Sequence, residues 1–422
     1  MARVIIVGAG MVGLATAWHV QERGYEVDIY DRTGVAAGAS RGNAGWLAPA
    51  KTIPLAEKGL WGLAPSLLFN PDAALSMPFK VDFKLWGFLA QFMAHATDSS
   101  WDATMELLTP IDKLALDAFS ELELGGVEAK SHDAPYVIGF NNEASSRGFF
   151  AEIAGAIRYG QSVEISRVEN PQDLMPILSR DISAVYRLEG QRFIEPGPYV
   201  HALADAIRSR GATIHSKASV TEVTGGKAPS ITLSTGEVMQ ADKVVIANGA
   251  WLPQLAKAHG VRVPVQAGRG YSFSVATPQE ITCPLYLPQQ RIACTPYQGR
   301  FRIAGTMEFR DPDDPLVPRR IQSIVKNARE ALSGVDLDDR RDEWVGSRPV
   351  TPDGLPLIGA TKSENVFVGG GHGMWGIVLG PVTGKLLAQY IDTGTAPAAI
   401  KAFDPLRAPF ATVRKQLFKR KR

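Results

Sequence analysis

Val4-Ile5-Ile6-Val7-Gly8-Ala9-Gly10-Met11-Val12-Gly13 joins an apolar run to a helical pattern, and Asp31 follows. Val4 to Val7 reads as a buried parallel strand. Three glycines then turn the chain, and Leu14 to Arg23 reads as the rest of a helix. In such a turn the first glycine permits a tight bend and the second lets backbone approach a phosphate. The third lets helix pack on strand. The helix N-terminus offers free N–H groups and partial positive charge to a pyrophosphate. Val27 to Tyr30 reads as a second strand, with Asp31 at its carboxyl end, 23 residues beyond Gly8. A carboxylate there accepts hydrogen bonds from ribose hydroxyls. The unit predicts a dinucleotide site and leaves the choice between NAD and FAD open.

The 422 residues are 45% hydrophobic, enough apolar material for a sizeable core in two or three domains. Lys plus Arg number 45 against 43 Asp plus Glu, a balance that calls for no nucleic acid. Cys283 and Cys294 form no CxxC pair, so no metal centre and no disulfide framework is expected. An N-terminus that enters a strand at once predicts a cytoplasmic protein without a signal peptide. No apolar run reaches about 18 residues, so no membrane-spanning helix is expected.

Further elements follow from pattern. Phe83 to Met93 predicts a strongly apolar helix, and Leu107 to Leu124 a helix with Pro110 in its first turn. Tyr136 to Phe140 and Val163 to Ile165 read as strands. Tyr199 to Arg210 reads as a helix stopped by Gly211, and Thr213 to His215, Val220 to Val223 and Ile231 to Ser234 as strands. Lys243 to Ala247 is a short apolar strand ending at Asn248-Gly249-Ala250-Trp251, which repeats the strand-to-glycine logic of the N-terminus. Tyr271 to Val275 and Phe301 to Ala304 read as strands, Arg320 to Leu332 as a helix. Val366 to Val368, a glycine loop and a helix over Ile377 to Tyr390 close the pattern. The expected architecture is α/β: a Rossmann-like nucleotide domain from residues 1–50, 190–260 and 345–400. An interleaved α+β domain with an antiparallel sheet would come from 51–189 and 261–344, and 401–422 would form a basic tail.

Four separated blocks together resemble the D-amino-acid oxidase and dehydrogenase family of flavoproteins. They are Gly8–Gly13 with Asp31, Gly38-Ala39-Ser40-Arg41-Gly42-Asn43-Ala44-Gly45, and Val244 to Trp251. The last is Gly346-Ser347-Arg348-Pro349 with Thr351-Pro352-Asp353-Gly354 and Gly371-His372-Gly373. The wording is most similar to the bacterial D-amino acid dehydrogenase branch. The resemblance implies FAD, held by Gly8, Gly10, Met11, Val12, Gly13, Asp31, Arg32, Ser40, Arg41, Asn43, Ala44, Gly45 and Val220. It also implies Asn248, Gly249, Trp251, Gly371, Gly373, Met374, Trp375 and Gly376. Asn248 departs from the Ala or Thr the family more often carries. Small residues in such loops let backbone pass close to a flat ring.

Three residues are candidates for chemistry. Arg348 carries a fork that matches a carboxylate in bidentate geometry, and the resemblance implies that it orients the substrate toward flavin N5. Tyr271 is a candidate second contact to carboxylate or amine. His372 is a candidate flavin or substrate contact in a loop whose N–H groups would stabilise reduced flavin. The Arg that related glycine oxidases carry near Met374 is missing, and Met374 with Trp375 suggests an apolar pocket wall. The implied reaction is oxidative deamination of D-amino acids to 2-oxo acids and ammonia, with electrons passed to quinone, another acceptor or oxygen. Residues 60–93, rich in Trp, Leu and Phe (Leu67 to Phe69 among them), and the tail Arg414 to Arg422, with six basic residues and no acid, suggest peripheral contact with the inner membrane face. Three alternatives stay open: an enzyme for secondary amines, an NAD(P)-linked dehydrogenase, and a silent flavin-binding module.

Overall fold

The computed structural model describes residues 1–62, 75–76 and 82–408. Leu67 to Phe69 and residues 409–422 of the expected tail lie outside the described residues, whereas 401–408 pack back on the fold through Phe403 and Arg407.

The continuous apolar run Val4-Ile5-Ile6-Val7 buries both faces of the first strand, as a strand inside a parallel sheet must. Arg3–Val7 lies between Glu26–Asp31 and Lys243–Ile246, parallel to both. Thr213–Ser216 extends the sheet beyond Glu26–Asp31, and Val366–Gly370 extends it on the other side. Leu357–Ala360 closes that edge antiparallel, giving six strands. Val4, Ile6 and Ile29 point to one layer, packed on the Met11–Gln21, Pro196–Ser209 and Gly380–Thr393 helices. Ile5, Val7, Val244 and Ile246 point to the other, under the three-stranded sheet that contributes Val223, Ile231 and Leu233. A Cβ at Gly384 would stand 2.4 Å from the Ala15 carbonyl carbon, so this glycine lets the two glycine-flanked helices meet closely.

The second large sheet has nine strands, and Arg341–Val350, Gln266–Val275 and Arg300–Phe309 pair antiparallel at one side. Its other half is mixed: Leu285–Leu287 runs parallel to Tyr136–Phe140. One face packs Tyr271, Phe273 and Ile303 against Ile321 and Ile324 of the Pro318–Ala331 helix. Free Cys283 and Cys294 are buried in that core, and burial pushes both thiols up, Cys283 to about 11. The opposite face turns toward the six-stranded sheet.

Some elements differ from their predicted form. Leu107 to Leu124 is two helices, Asp98–Asp112 and Ala115–Leu124. The first starts earlier because the Thr97 hydroxyl accepts the Ser100 N–H at 3.2 Å. Pro110 therefore sits in its last turn, where the missing N–H helps to end it. Both helices send Leu107, Leu108, Ile111, Phe119 and Leu122 into the core beside the parallel sheet. The strand predicted at Val163 is Ile165–Arg167, and the last helix begins at Gly380, after a 3-10 turn over Gly373–Trp375. The Arg341–Val350 strand lies wholly in the nine-stranded sheet, so the chain leaves that sheet after Val350 rather than at residue 345.

Candidate active site

One cleft of about 210 Å³ gathers residues from four distant stretches of sequence. Its first wall is the opening turn. Gly8 has φ +117°, and a Cβ there would lie 2.4 Å from the Ala247 carbonyl oxygen. Gly13 does not line the cleft. Its missing Cβ would meet the Gly8 oxygen at 2.0 Å, so its place is the close packing of helix on strand. The helix starts at Gly10 without a side-chain cap of its own, although Ser40 Oγ accepts the Met11 N–H at 3.3 Å. Gly10, Met11 and Val12 line the cleft beside them. Asp31 ends its strand with its carboxylate accepting the Ala9, Thr33 and Gly34 N–H groups at 2.8–2.9 Å. It fixes both loops around the turn and still lines the cleft with Arg32.

Val220, Asn248, Gly249 and Trp251 line the neighbouring wall. Asn248 Oδ1 is buried with no hydrogen-bond partner, an acceptor left over inside the cleft. That orphaned atom and the glycine turn leading into a helix N-terminus fit a dinucleotide with a pyrophosphate centre and polar ring edges.

The second glycine block divides. Ser40 and Asn43 line the cleft, while Arg41, Ala44 and Gly45 do not. Arg41 is exposed, its chain lying near Gly197 and the Tyr297 hydroxyl. Ala44 is clamped to the nine-stranded sheet, its carbonyl accepting from Thr295 Oγ1 at 2.6 Å. Gly45 adopts φ +75° and accepts the Ile194 N–H, with Asn43 Oδ1 accepting its own N–H at 2.9 Å. Ser272 Oγ donates to the Gly42 oxygen and accepts from buried Arg302 at 2.8 Å. These bonds hold the loop at a fixed distance from the sheet.

Arg348 and its neighbours stand at the other end. Arg348 pairs in register with Gly268, and its guanidinium lies across Gly270, where a Cβ would stand 2.2 Å from Cζ. Trp344, two positions along the same face, fills the space above Gly346 and Gly42 (Cβ distances 2.0 and 2.1 Å). Sequence gave no signal for Trp344 beyond the glycines it covers. Arg348 lines the cleft, and among the described residues no carboxylate pairs with it. Burial lowers its guanidinium to about 10, so it remains cationic at neutral pH.

Tyr271 is a correction. The alternation that aims Gly270 and Ser272 at the cleft turns Tyr271 to the opposite face. There it is fully buried against the Pro318–Ala331 helix core and donates its hydroxyl to Glu308. Burial and Glu308 hold its phenol proton on, pushing it well above the ordinary range.

His372 lines the cleft and forms a bridge with Val350, which ties its loop to the Arg348 strand. Its Nε2 lies 2.9 Å from Thr383 Oγ1, and burial lowers it to about 3, so the ring is neutral at working pH. Gly373, Met374 and Gly376 line the cleft, whereas Gly371 and Trp375 face an adjoining recess with Ile53, Leu55 and Val350. Trp375 Nε1 donates to the Ile53 oxygen at 2.8 Å and anchors that recess. Asp353 is structural. Burial works against its charge, but the Arg407 fork, at 2.8 and 2.9 Å, holds the carboxyl below its usual range.

Comparison with known proteins gives the same grouping. A family model described as "FAD dependent oxidoreductase" matches residues 3–390. A D-amino acid dehydrogenase of Methylobacterium nodulans is 27% identical over 405 residues, covering 94% of this chain and 96% of that protein. Among solved structures, glycine oxidase from Geobacillus kaustophilus superposes with a TM-score of 0.73 at 21% identity, covering 97% of this chain and all of that one. Iminodiacetate oxidase from Chelativorans sp. BNC1 gives 0.70 at 19% identity, covering 96% and 99%.

Proposed function

This chain belongs to the FAD dependent oxidoreductase family and uses FAD; we propose that it oxidises amino acids or amines and that its substrates are D-amino acids, converted to 2-oxo acids and ammonia. The observation that carries this is Arg348, a desolvated cation that faces the cleft with no carboxylate partner among the described residues. A half-buried cation without a counter-charge costs free energy that an incoming α-carboxylate offsets. The fork fixes that carboxylate at two points and so fixes the α-carbon. FAD, when bound, would supply the hydride acceptor for the α-hydrogen. Asp31, Asn248 and the Gly8–Val12 turn would hold its adenosine and pyrophosphate half, and the Gly371–Gly376 loop its ring. Neutral His372 adds no competing cation beside Arg348, so one carboxylate has one charged partner. The recess of Ile53, Leu55, Val350, Met374 and Trp375 suits an apolar substrate side chain. The imino acid released then hydrolyses in water.

A relative named D-amino acid dehydrogenase supports a quinone or protein acceptor over oxygen. Exposed Trp61 and Phe83 support an acceptor met at a membrane surface, and among the described residues no helix is long and apolar enough to cross one.

The test is anaerobic bleaching of the yellow holoenzyme by D- and L-amino acids, hydroxy-D-proline and sarcosine. Bleaching by apolar D-amino acids is expected. Bleaching by secondary amines alone would move the assignment to N-alkyl substrates, and none at all to a silent flavin-binding module. Turnover with oxygen as fast as with a quinone analogue would overturn the dehydrogenase assignment.

A further inference from the structure

The loop between the Arg300–Phe309 strand and the Pro318–Ala331 helix leaves the nine-stranded sheet and reaches the nucleotide end of the cleft. One oxygen of Asp313 accepts from Arg32 Nη2 at 2.7 Å, the other from Trp251 Nε1 at 2.9 Å. The Arg32 guanidinium lies over the Trp251 ring, 3.7 Å from its centroid. Arg32 and Trp251 line the cleft, whereas Asp313 stands behind them. They belong to two different crossovers, one following Asp31 and one following Asn248. Asp313 hydrogen-bonds both.

The loop is held from its own side as well. Gln266 Nε2 donates to the Arg310 oxygen at 2.7 Å, Ser347 Oγ to the Pro312 oxygen at 3.0 Å, and Arg269 Nη1 to the Pro315 oxygen at 3.1 Å. Burial works against the Asp313 charge, yet hydrogen bonds from Arg32 and Trp251 hold its carboxyl below the usual range.

We propose that Asp313 is a positioning residue for FAD: by locking Arg32 on Trp251 it makes the outer wall of the adenosine end and latches the dinucleotide in place. The proposal rests on the assignment of that end of the cleft to the adenosine half. A guanidinium stacked on an indole gives a flat apolar face with its polar edges satisfied behind it. Without Asp313 both donors turn to water, and each side chain regains rotamers that binding must freeze again. The pair is half-exposed, with side-chain exposures of 43% and 53%, so its contribution is modest and salt-sensitive.

Apoprotein of the wild type and of D313A, D313N and D313E is titrated with FAD by quenching of flavin fluorescence, and release is timed after dilution at low and molar salt. D313A is expected to release FAD about fivefold faster, D313N by an intermediate factor, and D313E near the wild-type rate. Salt is expected to speed release from the wild type and leave D313A unchanged, a response that a merely structural role would not produce. R32A combined with D313A is expected to add nothing to D313A alone. Equal release rates and equal salt responses in wild type and D313A would overturn the proposal, as would full additivity in the double variant. D313A release unchanged while the apoprotein melts lower would overturn it too. Tight, salt-insensitive FAD binding by all four proteins would leave the family assignment standing and remove only the latch. FAD binding that an adenosine-half competitor such as ADP cannot displace would overturn the placement beneath it.

Discussion

The two ends of the cleft are made from different parts of the polypeptide. The nucleotide end is backbone: a glycine turn, a helix start, and Asp31 holding three N–H groups. The substrate end is side chain: Arg348 lies on the sheet in the space left by a glycine on the neighbouring strand. A backbone site tolerates many side chains but no Cβ at its turn. A side-chain site tolerates no change of register, because one slip would send Arg348 to the core face.

Gly8→Ala presses hardest on that contrast. With φ +117° and a Cβ 2.4 Å from backbone, the turn must open, and the purified protein is expected to carry no flavin. Normal flavin absorbance would break the comparison. Arg407→Ala comes next. It strands buried Asp353 beneath the loop that follows Arg348, and is expected to cost about 3–5 kcal/mol in urea unfolding. Loss of that size with FAD content retained under native conditions would tie the pair to the substrate end.

Arg348→Ala is expected to cost on the order of 2–4 kcal/mol in kcat/KM, chiefly through KM, with FAD content unchanged. Gly270→Ala sharpens this: its Cβ would displace the guanidinium, so it should raise KM in the same direction. Unchanged KM in both would remove Arg348 from substrate binding. The smallest effect is acid sensitivity. His372 titrates at about 3 when folded and near 6.5 when unfolded, so the unfolded chain binds the extra proton below pH ~6.5. Stability therefore falls as pH drops below that value, by up to about 1.4 kcal/mol per unit. His372→Asn should flatten that slope, measured by urea unfolding at pH 6.5 and 5.5, and equal slopes would show that His372 is not neutral in the folded state.

Much of the fold was legible because local pattern dictates it. Val4 to Asp31 and Lys243 to Asn248 carry strand, turn and polar terminus within a few residues of each other. Arg348 could be singled out by its carboxylate-matching fork and the family resemblance of its block, and His372 by its flanking glycines, and they do meet in one cleft with the opening turn. What sequence hid is what tertiary neighbours decide. Tyr271 looks like a site residue until its strand acquires a direction, and then Gly270 and Ser272 take the cleft side. Arg41 sits inside the block of small residues, yet it is exposed and does not line the cleft. Arg407 and Asp313 hold the site from 54 and 62 residues away from their partners, a separation no local pattern records. The helix predicted over Leu107 to Leu124 failed because Pro110 fits the end of one helix as well as the start of another.

Trp344 carries a consequence for how such a protein can change over time. Its indole occupies the volume that Cβ atoms at Gly42 and Gly346 would need. Any side chain gained at either glycine evicts the ring, and a smaller residue at 344 leaves a void between the flavin loop and the substrate sheet. The three positions are therefore bound to drift as a set: a lineage that enlarges one must shrink another, whatever substrate it comes to prefer.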